Sequence, residues 1–577
     1  MKLDLLQKTS IQILLIIFIG LLIYSNTFNA PFVFDDAYFI VSNPAIKDFS
    51  YFKEPSKVLS LTGIPTGHRT TFITRIAGQF TFALNYHQHR LDVIGYHLFN
   101  ILVHIANGLL VYFFIRVIFQ TPYFTNLKPG SKPFEPLTQN LFAFLSALIF
   151  ICHPIQTQAV TYISQRFASL AALFYLLSLF AYIKSRLTAT GHEKYILYGL
   201  SLLSAIMAML VKELSFTLPV VILLSEYMFF SENFRKKAFL LFPFSLTMLV
   251  IPTTLLMAKG FSFSINNIDL LMKSVTSTSA EAVTKWDYLF TQFRVLVTYI
   301  RLLLFPINQN LDYDYPIYHS FFAAPVIISF IFLLLLFCLG VYFHYRSENS
   351  KIEKRYNLKL ISFGILWFFI TLSVESSIVV LLNVIFEHRL YLPSVGFIIC
   401  VMAAISMVVN ETKSRSAARG VIACIAVVIL VFAGTAYARN SVWRNNVVLW
   451  QDVVSKSPQK ARPHLNLGVA YDKKGLREEA IKEYLIARKI NPDYVEAHNK
   501  LGFIYMTKGW TEDAINEYLL TTKINPDNFE AHNNLGILYA QKELFDEALR
   551  EFQAASAIAP NNVSVRKNIE TVNRLKE

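Results

Sequence analysis

Charge is what this sequence has least of. Only 16% of its 577 residues are Asp, Glu, Lys or Arg, where a soluble chain carries about a quarter. Cysteine is scarce too: Cys152, Cys338, Cys400 and Cys424 each sit in or at the end of an apolar run, with no CxxC spacing. That argues against a disulfide framework and against a zinc site. There is no Walker loop, no GxGxxG entering a helix and no HExxH, so nucleotide hydrolysis and zinc proteolysis have no motif behind them. A formal net charge of +14 would suit nucleic acid, but the basic residues gather in short loops between apolar runs. That is the pattern of cytoplasmic loops facing anionic headgroups, so membrane lipids and not nucleic acid are the expected partners.

What the sequence has in abundance is apolar and aromatic: 54% hydrophobic residues, 50 Phe and 29 Tyr. This suits a polytopic membrane protein with aromatic belts at the interfaces. Lys2 and Lys8 precede an apolar run from Ile11 to Phe28 that no small-x-small site follows. It reads as a retained anchor with its N-terminus in the cytoplasm. Further runs are centred on 94–118, 140–152, 167–183, 195–211, 214–230, 237–257, 322–344, 359–374, 391–409 and 418–438, which makes about eleven spans. The run at 140–152 is short and ends at His153-Pro154, which predicts a broken helix.

Trp286–Phe305 is apolar enough to cross, yet Arg294, Thr298 and Arg301 share one helical face. If it does not cross, every cytoplasmic loop is basic: Lys128 and Lys132, then Lys184 to Lys194, Arg235 to Lys237, Arg346 to Lys359, and Lys413 to Arg419. If it crosses, the last two groups move outside, against the positive-inside rule. The non-crossing reading puts Asp35, Asp36, Lys212, Glu213, Glu387, Arg389 and the C-terminal part on one outer side.

From Ala461 the composition turns soluble and repeats every 34 residues: His464, His498 and His532; Gly468, Gly502 and Gly536; Tyr471, Tyr505 and Tyr539; Ala480, Ala514 and Ala548; Pro492, Pro526 and Pro560. This is the tetratricopeptide pattern of helix–turn–helix units that bury their apolar faces by stacking. The expected organisation is a membrane domain over 1–440 and a repeat domain over 441–577. The latter divides into a half repeat at 442–460, full repeats at 461–494, 495–528 and 529–562, and a capping helix at 563–577. The fold class is therefore all-α, a polytopic helix bundle followed by an α-solenoid. One histidine per repeat spaces the three too far apart to share a metal ion, so they read as packing residues.

The loop after the first apolar run holds Asp35, Asp36, His68 and Arg69. Paired carboxylates offer a general base, a metal site, or one acid orienting the other, and an arginine can grip a phosphate in a bidentate way. His97, Asn100, His104 and Asn107 recur at i, i+3, i+7 and i+10 on one helix face. Interhelical hydrogen bonding is the plainer of two readings for the last three, a site role being the other, while His97 is nearest the outer end and within reach of a site. Arg166, in an apolar run, is expected to face an anionic partner or ligand. Lys212-Glu213 reads equally as a pair closing a helical hairpin or as a ligand contact. Glu387 and Arg389 open the 391–409 span, where snorkelling anchors are the plainer account.

Taken together, these residues resemble the transmembrane and tetratricopeptide-repeat family of protein O-mannosyltransferases in the GT-C superfamily. The resemblance rests on Phe32–Asp36, on Tyr96 to Asn100 with His104, on His153-Pro154 with Arg166, on Lys212-Glu213, on Arg301 to Pro306, and on Glu387 to Ser394 leading to the repeats. It covers nearly the whole chain in order. It implies a GT-C-like membrane enzyme that takes a sugar from a polyprenyl phosphate at the outer face. Asp35 would be the general base towards an acceptor hydroxyl, with Asp36 orienting the acceptor or a divalent cation; no metal ligand set is assigned. Arg69, Arg166, Lys212, Arg301 and Arg389 are the candidates for the donor phosphate, of which two or three would touch it. His97, His153, Glu213 and Glu387 would support them. Asn466, Lys500 and Asn534, one per repeat on the first helix, would line a groove for an extended acceptor peptide, whose backbone a carboxamide can bridge; plain solubility is the other reading. The lipid-linked sugar is the donor and no further cofactor is implied. Short loops and few repeats point to a bacterial inner membrane with periplasmic repeats. Transfer to a lipid or surface glycan, and a non-catalytic scaffold for envelope assembly, stay open as alternatives.

Overall fold

The computed structural model describes residues 8–577 except 62–63, 127–135, 190, 231–233, 259–282, 351, 378–379, 382 and 413. Lys128, Lys132, Lys351 and Lys413 of the basic loops lie outside the described residues. Among the described residues the chain is helical and contains no strand. It divides into one unit of Met1–Leu311 with Tyr315–Arg444 and a second of Asp312–Asp314 with Asn445–Glu577.

Among the described residues, six helices of the first unit are long and apolar enough to cross a membrane: Val93–Ile118, Ile163–Leu187, Phe239–Ala258, Ala324–Asn349, Pro393–Asn410 and Ser416–Val442. Gln139–Cys152 and Pro154–Thr161 together pass the same test but are bent by 51° at His153-Pro154, which makes a broken span or a re-entrant loop. Proline supplies no N–H there and the backbone cannot continue straight. This count does not reach the expected eleven. The 214–230 run opens as a tight 3-10 turn, Glu213–Thr217, and leaves only Leu218–Phe229 as α-helix. Twelve residues at about 1.5 Å each fall well short of the ~30 Å hydrocarbon core. The helix Lys285–Leu304 is not among the long apolar ones. It buries Tyr288, Gln292, Val295 and Tyr299 along one stripe, and its capping box joins Thr284 to Asp287.

One apolar core runs through the bundle, from Ile16 and Tyr112 through Phe150, Tyr175 and Trp367 to Val395. The helices Ile352–Leu372 and Pro393–Thr412 approach so closely that a Cβ on Gly364 would lie 2.3 Å from the Gly396 carbonyl oxygen, the close approach that small residues allow. Peripheral helices such as Ala324–Asn349 and Arg415–Val442 turn Ile328, Leu335, Leu430 and Val431 outward, as lipid-facing surfaces do. The stretch after the first helix is folded rather than an open loop. Its helices Thr66–Thr74 and Ile76–His89 help build a second core of Phe39, Ile46, Phe72, Phe82 and Phe167.

In the second unit seven helices from Ala461 to Lys576 pack as antiparallel pairs with a cap, preceded by Asn446–Lys456. The recurring glycines have one physical reason. A Cβ at Gly468, Gly502 or Gly536 would strike Tyr484, Tyr518 or Phe552 of the following helix.

Candidate functional site

Phe32–Asp36 forms a tight turn in which Phe34 takes φ 48°, a left-handed conformation costly for an aromatic residue and frequent where function demands a particular shape. The Asp36 N–H donates to the Val33 carbonyl at 3.0 Å. The Asp36 side chain, fully buried, accepts the Val33 N–H at 3.0 Å and the Ser164 N–H at 2.7 Å. Burial pushes its pKa up to about 7, against both amide donors and with help from the Asp35 charge. Asp36 is thus a tether that binds the turn to residue 164, each of its oxygens accepting one backbone N–H. Asp35 is half-buried, and its N–H donates to the Tyr162 hydroxyl at 2.9 Å. His97 holds the entry to the turn through Nε2 and the Ala30 carbonyl, 2.9 Å apart. His68 packs on Tyr38 and Phe39, and burial, with Arg75 nearby, lowers its pKa to about 4.

The broken helix organises everything around this turn. His153 caps the break: its Nδ1 accepts the Ile155 N–H at 3.1 Å, so its Nε2 carries the proton and donates to the Leu303 carbonyl at 3.0 Å. The Pro154 carbonyl accepts from Gln309 at 3.0 Å, and the same amide donates to Glu387 Oε2 at 3.0 Å. Glu387 Oε1 accepts the Asn310 N–H at 2.6 Å. Gln156 donates to the Ser394 hydroxyl, and Gln158 Oε1 accepts the His388 N–H at 2.7 Å and its Nδ1–H at 3.2 Å. Asn100 donates to the Val160 and Ile163 carbonyls. Residues 153–166 therefore join the Asp35-Asp36 turn to the Glu387–Ser394 stretch. Below His153 an apolar cavity of about 570 Å³ is lined by Leu303, Phe397, Val401, Ile425 and Phe432.

The five candidate cations separate into two groups. Arg166 is fully buried, and neutral groups hold it: Asn100 Oδ1 at 2.6 Å, the Thr81 carbonyl and hydroxyl, and the Tyr96 carbonyl, with Phe82 and Phe99 rings against its guanidinium. As placed, Arg166 ties helices together through these contacts, with the Asp36 charge acting on it from nearby. Arg69 grips the Leu59 and Leu61 carbonyls and the Thr66 hydroxyl, and Arg301 donates to the Ile307 carbonyl; both brace their own loops. Lys212 and Arg389 are the two that come into one neighbourhood. Lys212 and Glu213 do not pair with each other, since adjacent side chains diverge. Lys212 Nζ lies 2.8 Å from Glu375 Oε1, and Glu213 is forked by Arg75 at 2.9–3.2 Å. Arg389 donates to the Tyr288 hydroxyl and to the Val384 and Asn383 carbonyls.

Arg75, Glu375, Tyr288 and Tyr299 escaped the sequence reading. Arg75 and Glu213 are 138 positions apart, so nothing local announces the pair. Glu375, a carboxylate at the end of the 359–374 apolar run, was the visible signal. Tyr288, Gln292 and Tyr299 share the stripe that holds the 384–386 backbone, Gln292 donating to the Val384 carbonyl and Tyr299 to that of Phe386.

In the second unit, Asn466 and Lys500 are half-buried, but Asn534 is buried and donates to the Tyr518 hydroxyl at 2.9 Å. The three positions are thus not equivalent, and Asn534 is spent on packing. Each repeat histidine joins a glutamate of the second helix to a proline carbonyl six residues back. These are Glu483 with Pro458, Glu517 with Pro492, and Glu551 with Pro526, the histidine–glutamate distance being 2.6 Å in each. Among the described residues no cluster of three or more His, Cys, Asp or Glu is arranged to hold a metal ion.

Known proteins agree with this division. Two tetratricopeptide-repeat families, described as "TPR repeat" and "Tetratricopeptide repeat", match residues 477–509, 506–543 and 529–562. The chain is 26% identical over 503 residues to "Protein O-mannosyl-transferase F38B6.6" of Caenorhabditis elegans, covering 84% of this chain and 63% of that one. It is 24% identical over 512 residues to human "Protein O-mannosyl-transferase TMTC3", covering 84% and 52%. With mouse "Protein O-mannosyl-transferase TMTC4" it shares 25% over 507 residues, covering 81% and 65%. The chain thus spans between about half and two-thirds of the length of these relatives. Its homologues over 84% of its length are protein O-mannosyl-transferases of the transmembrane and tetratricopeptide-repeat family.

Proposed function

We propose that this protein is a membrane glycosyltransferase that moves a mannose-like sugar from a polyprenyl phosphate to a serine or threonine hydroxyl of a protein. The observation that carries the reading is the set of hydrogen bonds by which residues 153–166 join Asp35-Asp36 to Glu387–Ser394. It sets a carboxylate and a cationic neighbourhood on one scaffold. Asp35 takes the proton of the acceptor hydroxyl, the oxygen attacks the anomeric carbon, and the carbon–oxygen bond to phosphate breaks with its electron pair going to phosphate. A lipid phosphate leaves readily, so cations that meet the developing charge contribute more than a strong acid would. Lys212 and Arg389 are assigned that part. The apolar cavity beneath His153 suits an isoprenoid chain, and the positive-inside pattern supports a reaction on the extracytoplasmic side. The acceptor is a protein, in keeping with the names of the relatives, and the repeats present it.

The test is transfer of labelled sugar from a synthetic polyprenyl-phosphate mannose to membrane proteins by the purified full chain. Asp35→Asn abolishes transfer while membrane insertion and thermal stability stay as in wild type. Near-normal transfer by that variant removes Asp35 from the base role.

A further inference from the structure

A continuous polar network in the first unit carries more positive than negative charge. Arg389, 4% exposed, meets only neutral oxygens in its hydrogen bonds, and one of them, the Tyr288 hydroxyl, donates in turn to the Glu375 carbonyl at 2.8 Å. Glu375 pairs with Lys212, and the next residue, Glu213, pairs with Arg75. Among the described residues, three cations thus share two carboxylates. Buried positive charge without a matching anion is costly.

Donors are left over in the same neighbourhood. Arg389 Nε and Gln158 Nε2 are buried with no hydrogen-bond acceptor, and Gln158 is only 1% exposed. Lys212 Nζ is engaged by Glu375 at 2.8 Å, and an ammonium has three N–H donors, more than one carboxylate oxygen uses. His388 links these groups. It donates twice to Gln158 Oε1, and its ring stacks at 5.0 Å on Phe386, which also lies against the Arg389 guanidinium. The network opens to its surroundings at one end. The Arg75 and Glu213 side chains are 24% and 33% exposed, against 6% and 10% for Lys212 and Glu375. Arg75 uses Nε and Nη2 on Glu213, and Nη1 takes no part in the fork.

We propose that Arg75 and Gln158 complete a phosphate subsite with Lys212 and Arg389, Arg75 as the cation at its entrance and Gln158 Nε2 as its neutral donor. The group recognised is a phosphate ester oxygen set, which uses several convergent N–H donors and balances the surplus charge. This rests on the donor reading above and names further residues for it.

The experiment measures binding to the full chain in lipid nanodiscs. The probes are a short-chain polyprenyl phosphate, the matching polyprenol, and inorganic phosphate. Two variants are compared with wild type. The double variant Arg75→Gln/Glu213→Gln removes the cation without stranding its carboxylate. Gln158→Glu keeps both acceptor bonds from His388 and replaces the donor by a second acceptor. Polyprenyl phosphate affinity is expected to fall at least tenfold in each, with polyprenol affinity unchanged and inorganic phosphate competing in wild type. Binding of inorganic phosphate alone, dependent on Arg75, keeps the subsite and removes the lipid donor. Equal polyprenyl phosphate affinity in wild type and both variants overturns the subsite and leaves the donor reading standing. An equal loss of polyprenol binding in the variants also overturns it, since the effect is then on the fold.

Discussion

Buried polar groups are organised differently in the two units. In the first, the links that tie its distant segments together are singular and long-range. Asp36 meets Ser164 across 128 positions, Glu213 meets Arg75 across 138, and His104 meets Tyr391 across 287. In the second, one link is used three times, histidine to glutamate at a separation of 19. A singular network fixes one geometry and has no substitute for a lost member. A repeated link supports a stack whose neighbouring interfaces add approximately independently. The first arrangement suits a reaction centre and the second a binding surface.

The largest break in that comparison is expected at Asp35. Asp35→Asn keeps the backbone bond from residue 35 to Tyr162 and removes only the carboxylate. Loss of a general base lowers transfer by about 10²- to 10⁴-fold, measured as initial rate with saturating donor. Next comes Arg166→Ala. It removes contacts with Asn100, Thr81 and Tyr96 and the packing against Phe82 and Phe99. A cavity plus stranded acceptors costs about 3–5 kcal/mol, read as a lower midpoint in thermal unfolding of the detergent-solubilised chain. A variant that loses activity at unchanged midpoint shows instead that Arg166 serves the reaction.

How much of this was legible follows the same line. The repeats were readable residue by residue because a 34-residue period displays its own pattern. The glycine beneath an aromatic ring and the histidine beside a proline appear three times over. Asp35 and Asp36 stood out because adjacent acids are rare in apolar surroundings, and the His153-Pro154 break because proline cannot be hidden. The neutral contacts of Arg166 were not legible: a buried guanidinium calls for an anion by charge alone, and the carboxamide, carbonyls and aromatic faces around it are not visible in a linear reading. Arg75 was missed because its partner lies far along the chain. The eleven expected spans are not all recovered as long apolar helices, because apolar runs such as 214–230 show length without showing that the backbone breaks at Glu213–Thr217.

The repeated link gives a smaller and pH-dependent effect. Burial works to lower the pKa of His464 and His498, but the hydrogen bonds to Glu483 and Glu517 outweigh it and the pKa is raised. A raised folded-state pKa stabilises fully below the unfolded value of about 6.5 and loses that stabilisation as pH rises through the folded value. Hydrogen exchange in the repeat helices of the full chain is therefore slower at pH 6 than at pH 8.5, after correction for intrinsic rates. His498→Ala removes that pH dependence locally and costs about 1.5–3 kcal/mol, the range for hydrogen bonds to charged groups. The two flanking repeats keep their own links, so protection there falls less than in residues 495–524.

The smallest expected effect tests whether the repeats are as interchangeable as the comparison requires. The turn between the two helices of a repeat needs one left-handed residue, supplied by Gly475 at φ 77° and Gly509 at φ 75°. The third repeat puts Glu543 there, at φ 62°, and a residue with a Cβ is strained in that region by about 1–2 kcal/mol. Glycine removes the strain but gives the unfolded chain more freedom, which returns about 0.4–1 kcal/mol. Glu543→Gly is therefore expected to stabilise the third repeat by roughly 0.5–1 kcal/mol, seen as slower exchange in Phe529–Gln541 and Phe545–Ile558 with transfer activity unchanged. No gain, or a loss, means that the third repeat differs from the others by more than its turn.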